Sequence, residues 1–212
     1  MFPLLIIALS SYLAGSVPFG YILVRVFRGQ DVRESGSGNI GATNVARSSP
    51  FLGLLTLLLD AGKGSAAVVL AMLISEKWRS GPALSVHDEA IRVALAAFAA
   101  VLGHMFPIWL RLKDGKGVTT GLGSFMLLTP KTTLIVIGIF VVTLLALRYV
   151  SFASILAVAL FPLLFWRLHE YDDQPIALAL VAACSFMIVL KHHGNIRRLL
   201  TGSEPRFQLR RG

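Results

Sequence analysis

The chain has 212 residues, of which 55% are hydrophobic and only 15% charged, and its mean hydropathy is +0.73. A soluble domain carries about 25% charged residues, so this composition excludes a soluble globular enzyme and a disordered chain, and a single cysteine, Cys184, excludes an intrachain disulfide scaffold. The net charge of +9 would suggest nucleic acid in a soluble protein; in a membrane chain it marks loops that face the cytoplasm. The first apolar run, 2–24, has no basic residue before it and therefore reads as a retained span, not a cleavable signal. Further spans follow at 51–75, 90–110, 117–129, 132–148, 152–168 and 175–190, in blocks near the roughly 17–25 residues a membrane helix needs. The fourth is short and rich in Gly and Thr, as a tilted or re-entrant element would be; five spans are the alternative if 117–148 is partly re-entrant.

Seven crossings with the N-terminus outside place 25–50, 111–116, 148–151 and 191–212 inside. Fourteen Lys and Arg residues then lie inside and five outside, with most acids outside. That is the positive-inside asymmetry. The expected architecture is an all-α integral membrane protein of about seven helices, N-out and C-in, with its motif loops gathered on the cytoplasmic face. Residues 1–202 form one polytopic domain, and 203–212 a short basic tail solvated near anionic headgroups.

The polar, glycine-rich material that can do chemistry gathers in the inner loops. Residues 35–44 hold three glycines (Gly36, Gly38, Gly41), three hydroxyls (Ser35, Ser37, Thr43) and two amides (Asn39, Asn44), with Arg47 just beyond. Such a backbone can turn N–H groups toward an anion, and a nearby cation completes a phosphate site. The formal G-x-G-x-x-G match follows a membrane helix and no βαβ strand, so it is no dinucleotide fingerprint. A second cluster runs from Gly103 and His104 through Trp109 to Lys113, Asp114, Gly115, Lys116 and Gly117. It lacks P-loop spacing, yet its lysines between glycines can bind phosphate. His104 suits either a hydrogen-bonded core role or a functional one. In the third cluster, 191–200, His192 and Asn195 stand three apart and share a helical face. No ligand set with metal spacing accompanies the histidines, so no metal and no cofactor is expected. Ser151 and Ser154 enter the sixth span, and Asp60 and Lys63, three apart inside the second, can pair and brace the site from behind.

These residues resemble the PlsY family of bacterial acyl-phosphate-dependent glycerol-3-phosphate acyltransferases. The resemblance rests on 35–47, 103–120 and 191–204, supported by 60–64 and 148–154. Asp114 departs from it where the family usually has glycine, and Ser48, Ser49 and Pro50 replace a turn with Gly and Lys. The resemblance implies a seven-helix enzyme of the bacterial cytoplasmic (inner) membrane, with its active site on the cytoplasmic side. It moves an acyl group from acyl phosphate to the sn-1 hydroxyl of glycerol 3-phosphate, giving lysophosphatidic acid and phosphate, the first step of phospholipid synthesis. A separate soluble enzyme supplies the donor from acyl carrier protein, and no cofactor or nucleic acid takes part.

By the same resemblance, Ser37, Gly38, Asn39, Gly41, Ala42 and Thr43, with Ser154 and Asn195, would hold the donor phosphate. Arg47, Lys116 and His192 would hold glycerol 3-phosphate, and these three with Asn195 form the catalytic group. Ser35, Asn44, His104 and Lys113 complete the set. The proton acceptor is either His192 or a substrate phosphate oxygen. Acyltransferases of the His-x-x-x-x-Asp type are excluded, because none of the five histidines has an aspartate five residues on. The rival from another class is a membrane transporter for a phosphorylated or anionic metabolite.

Overall fold

The computed structural model describes residues 2–78, 86–113, 115–170 and 174–208. Asp114, together with Arg79, Asp172, Asp173, Arg210 and Arg211 among the charges counted on the two sides of the membrane, lies outside the described residues. The described residues form helices and short 3₁₀ turns and no strand. The helices are α1 (Phe2–Ser16), α2 (Phe19–Arg28), α3 (Ala42–Ser48), α4 (Pro50–Lys77) and α5 (Val86–Met105). They continue as α6 (Val118–Leu128), α7 (Pro130–Leu147), α8 (Val150–Leu168), α9 (Pro175–Lys191) and α10 (His193–Leu200).

Among the described residues, five segments are long and apolar enough to cross a bilayer: Phe2–Arg28, Pro50–Lys77, Asp88–Leu110, Pro130–Leu147 and Val150–Leu168. A sixth is the α9–α10 pair, which bends by 54°. At about 1.5 Å per residue, α6 reaches roughly 16 Å against a hydrocarbon core of about 30 Å, so it is shorter than a full span. Two of the expected spans are interrupted. The first breaks at Val17 and Pro18, because a proline cannot continue the hydrogen-bond ladder. The third ends as a helix at Met105, before Pro107 and a 3₁₀ turn at Ile108–Leu110. Composition alone does not register such breaks.

The chain divides into two compact units, one ending at Leu128 and the other beginning at Thr129. In the first, α4 packs against α1, α3, α5 and α6, and α1 against α5. Glycines permit the close crossings: a Cβ on Gly64 would collide with the Thr120 carbonyl, one on Gly123 with the Ala61 carbonyl, and one on Gly15 with the backbone of Ala100. Small residues are the usual way for membrane helices to approach, since lipid supplies no hydrophobic force between them. Ser65 adds a hydrogen bond to the Gly123 carbonyl (2.9 Å), and Tyr12 one to that of Phe106 (2.7 Å). Leucines such as Leu54, Leu58 and Leu73 on α4 point outward, as lipid-facing residues do.

The second unit packs α7 on α8, α8 on α9, and α10 on both α8 and α9. Its interior is lined by Ala153, Ala157, Phe161 and Phe165 of α8 and by Ala177, Val181, Cys184 and Ile188 of α9. Glu170 caps α7, accepting from the backbone N–H of Lys131 (3.0 Å) and from the N–H (2.8 Å) and hydroxyl (2.5 Å) of Thr132. A carboxylate there satisfies the orphan donors of a helix start.

Candidate active site

The first motif loop owes its shape to one amide. Asn44, buried at the start of α3, donates from Nδ2 to the carbonyls of Val32 (3.1 Å) and Ser35 (3.0 Å). Its Oδ1 accepts from the Ser37 N–H (2.8 Å). Both donors and the acceptor of Asn44 are engaged, so this residue builds the loop from within. Gly36 and Gly38 take left-handed backbone angles (φ 59° and 72°) that favour glycine. Asn39 accepts from the Gly41 N–H (2.8 Å), and the Gly38 N–H donates to the Ser35 carbonyl (3.0 Å). The amides of Ser37, Gly38 and Gly41 therefore donate inside the loop. The expected anion cradle of backbone N–H groups is narrower than the sequence suggests, while the side chains of Ser35, Ser37 and Thr43 are exposed.

Arg47, one turn along α3 from Thr43, is exposed and folds back over the loop. A Cβ placed on Gly36 would stand 3.3 Å from its Cδ and its Nη1. Below lies an apolar cluster of Val24, Val32, Ile40, Val45, Leu52 and Leu110. Leu110 belongs to the approach to the second motif loop, so both glycine-rich loops of the first unit rest on one small core. At its edge Arg33 binds both carboxylate oxygens of Asp31 (2.6–3.1 Å) and lies over the Tyr21 ring. That guanidinium holds the Asp31 carboxyl below the usual carboxylate range.

The second loop is also built from left-handed residues: Arg111, Leu112, Gly115 and Gly117 all have positive φ. Lys113 is exposed and Lys116 half-buried, while Gly115, Gly117 and Thr120 are buried. A Cβ at Gly115 would collide with the His104 carbonyl and stand 2.8 Å from the edge of its ring. His104 is itself buried, with Nδ1 3.7 Å from Asp60 Oδ1, and Asp60 pairs with Lys63 at 2.8 Å. The pairing expected within α4 is present, and the His104 ring stands beside it.

In the second unit, His192 sits at the bend between α9 and α10 and is buried, with Nδ1 2.8 Å from the Ile188 carbonyl. A carbonyl only accepts, so Nδ1 carries the proton, and in the neutral ring Nε2 is the acceptor nitrogen. His192 stands at the junction where α9 bends by 54° into α10, and Asn195 lies in the first turn of α10. Asn195, also buried, donates from Nδ2 to Glu204 Oε1 (2.8 Å), and Arg198 Nε donates to Glu204 Oε2 (2.6 Å). Ser154 donates its hydroxyl to the Val150 carbonyl of its own helix (2.9 Å). Glu204 is a site residue that no motif spacing singles out. The signal was an acid in an otherwise basic tail. Burial works to raise its carboxyl, but the nearby Ser151 hydroxyl, the hydrogen bonds from Asn195 and Arg198, and the Arg198 charge hold it below the usual range. The tail is therefore not wholly solvated. Glu204 is buried, Arg206 reaches the Tyr149 hydroxyl (3.1 Å), and the Phe207 N–H donates to the Arg148 carbonyl (2.6 Å).

A family model described as Glycerol-3-phosphate acyltransferase matches residues 5–202. A relative of that name from Syntrophotalea carbinolica is 40% identical, over 96% of this chain and 97% of its own. Another, from Thermosynechococcus vestitus, is 42% identical over 98% and 96%. The crystal structure of PlsY, an integral membrane glycerol 3-phosphate acyltransferase, in its glycerol 3-phosphate form matches with a TM-score of 0.84 at 33% identity, covering 97% of this chain and 96% of that one. The lysophosphatidic acid form of that enzyme matches with a TM-score of 0.81 at 31% identity, covering 97% and 95%.

Proposed function

Because this chain belongs to the glycerol-3-phosphate acyltransferase family, we propose, beyond the acyl transfer to glycerol 3-phosphate that such membership carries, that its donor is an acyl phosphate. The protein is an integral membrane acyltransferase, and its product is lysophosphatidic acid. The observation that supports the donor assignment is the pair of glycine-rich loops on one apolar cluster, with Arg47 over the first and Lys116 in the second. Both substrates of this reaction carry a phosphate, and each loop offers a cation for one.

The chemistry asks little else of the protein. The sn-1 hydroxyl oxygen attacks the acyl carbonyl carbon, and the bond from that carbon to the phosphate oxygen breaks. The hydroxyl proton ends on the departing phosphate as hydrogen phosphate. An acyl phosphate is already activated, so the residues need only orient the two partners and balance charge on the phosphates and the developing oxyanion. We assign Ser37, Asn39 and Thr43 of the first unit to the donor phosphate, and Arg47 and Lys116 to glycerol 3-phosphate. Ser154, His192 and Asn195 are the second unit's share. His192, held by its Nδ1 hydrogen bond to the Ile188 carbonyl, is assigned to align the attacking hydroxyl. The acyl tail dissolves in the bilayer at about 0.8 kcal/mol per CH₂. The membrane is the bacterial cytoplasmic one, with the motif loops facing the cytoplasm.

Purified protein in detergent, given acyl phosphate and glycerol 3-phosphate, is expected to release phosphate and form lysophosphatidic acid in equal amounts. Comparable rates with acyl-coenzyme A in place of acyl phosphate would reject the donor assignment.

A further inference from the structure

The first unit contains a buried set of ionisable side chains that the reaction itself does not use. Asp60 and Lys63 are paired on α4 at 2.8 Å, and His104, in the last turn of α5, stands 3.7 Å from the same Asp60 oxygen. All three are almost fully buried. Lys63 also donates to the Val17 carbonyl (2.7 Å), at the break between α1 and α2, and its ammonium lies 5.7 Å from the centre of the Phe19 ring. A charge inside a membrane protein is costly and persists where it has defined partners and a task.

The neighbours of this set indicate the task. Gly115 is pressed on the carbonyl and ring edge of His104 so closely that no Cβ fits. The helix that follows the loop, α6, crosses α4 with Gly64 against the Thr120 carbonyl, one residue beyond Lys63. Lys116 is therefore held between two supports, Gly115 on His104 and α6 on α4. The Asp60–Lys63–His104 cluster joins those supports. We propose that these three residues are positioning residues for the loop that carries Lys116: the cluster fixes the end of α5, and His104 is the surface against which the loop is set. The proposal rests on the reading of Lys116 as a phosphate ligand and adds how that lysine is placed.

The test is His104→Gln, a polar replacement without the ring, read in two ways on the full-length protein in detergent. Amide hydrogen exchange of the peptide spanning 111–118 is expected to speed up at least tenfold, with the peptide spanning 177–188 unchanged. Activity is expected to fall at least tenfold in kcat/KM for glycerol 3-phosphate. In a Lys116→Ala background the same change is expected to cost less than threefold, because the lysine it serves is gone. General destabilisation would instead multiply the two losses, and that result overturns the proposal. Unchanged exchange at 111–118 overturns it as well. If Lys116→Ala itself leaves activity near wild type, the phosphate role of Lys116 fails, and loop exchange alone decides on the positioning device. Should His104→Gln not fold, Gly115→Ala attacks the same contact from the loop side, and the same exchange and activity outcomes apply.

Discussion

Arg47, Lys113 and Lys116 are all cations in glycine-rich loops, but their surroundings differ. Arg47 lies over a loop fixed from within by Asn44, and Lys116 is half-buried between Gly115 and Gly117. Lys113 is exposed, and Asp114 follows it in sequence. Removing one preorganised charge donor typically lowers a rate by roughly 10²–10³, about 2.7–4 kcal/mol. Losses of that size are expected for Arg47→Ala and Lys116→Ala in steady-state assays of folded protein, and a clearly smaller one for Lys113→Ala. Equal damage from both lysine variants at matched expression would show that the anion site includes both. Glu204 supports a prediction in pH. Its folded carboxyl titrates below its unfolded value of about 4.3, so its contribution to stability is complete above that value and is lost as pH falls through the folded one. Thermal midpoints of the wild type should drop more steeply than those of Glu204→Gln as pH is lowered from about 5. Parallel curves would remove Glu204 from the account. At this scale the sequence named the residue types that can bind phosphate, but not their hydrogen bonds. Asn39 and Asn44 look equivalent in the string, yet Asn44 has every polar group engaged in shaping the loop.

Helices were legible because their length and apolarity are composition properties. The expected spans 51–75, 132–148, 152–168 and 175–190 fall within two residues of the helix limits at Pro50–Lys77, Pro130–Leu147, Val150–Leu168 and Pro175–Lys191. The crossings between helices were not legible, since they depend on which glycine meets a neighbouring backbone. Gly62 and Gly64 illustrate this on one helix. A Cβ on Gly62 would meet nothing within 4 Å, whereas one on Gly64 would collide with α6. Replacing an unobstructed helical glycine by alanine gains about 0.8–1.0 kcal/mol of helix propensity. Forcing a methyl into a packed contact costs about 1–3 kcal/mol. Gly62→Ala should therefore keep or raise the melting temperature in detergent, and Gly64→Ala should lower it and impair activity. Identical melting temperatures would mean that the α4–α6 crossing is looser than its geometry.

At the scale of the molecule, charge is the guide to orientation. Fourteen basic residues against five argue for an N-out, C-in chain, and the shortness of α6 makes the stretch after it the informative point. Reporter fusions after Leu200 should read cytoplasmic, and those near Gln174 external. A fusion at Thr129 should also read external if α6 completes a crossing through a locally thinned bilayer. A cytoplasmic signal there would make α6 re-entrant and, through the three crossings α7, α8 and α9, would move the stretch after Leu200 to the periplasmic side. A periplasmic signal after Leu200 with Thr129 external would overturn the seven-crossing path. Composition carries this argument only as far as parity, because the hydropathy of an eleven-residue helix does not distinguish a short crossing from a return.

The docking of residues 204–207 onto the start of α8 changes what a premature stop codon would do. A chain ending at Gly202 keeps every membrane helix and loses only ten residues, so a hydropathy plot would score it as intact. It would nevertheless lack the carboxylate that Asn195 and Arg198 grip and the backbone donor that reaches Arg148. Such a truncation should behave like a lesion in the enzyme's interior, failing to complement in cells and melting early in detergent. An affinity tag joined directly to Gly202 in place of the tail would carry the same penalty.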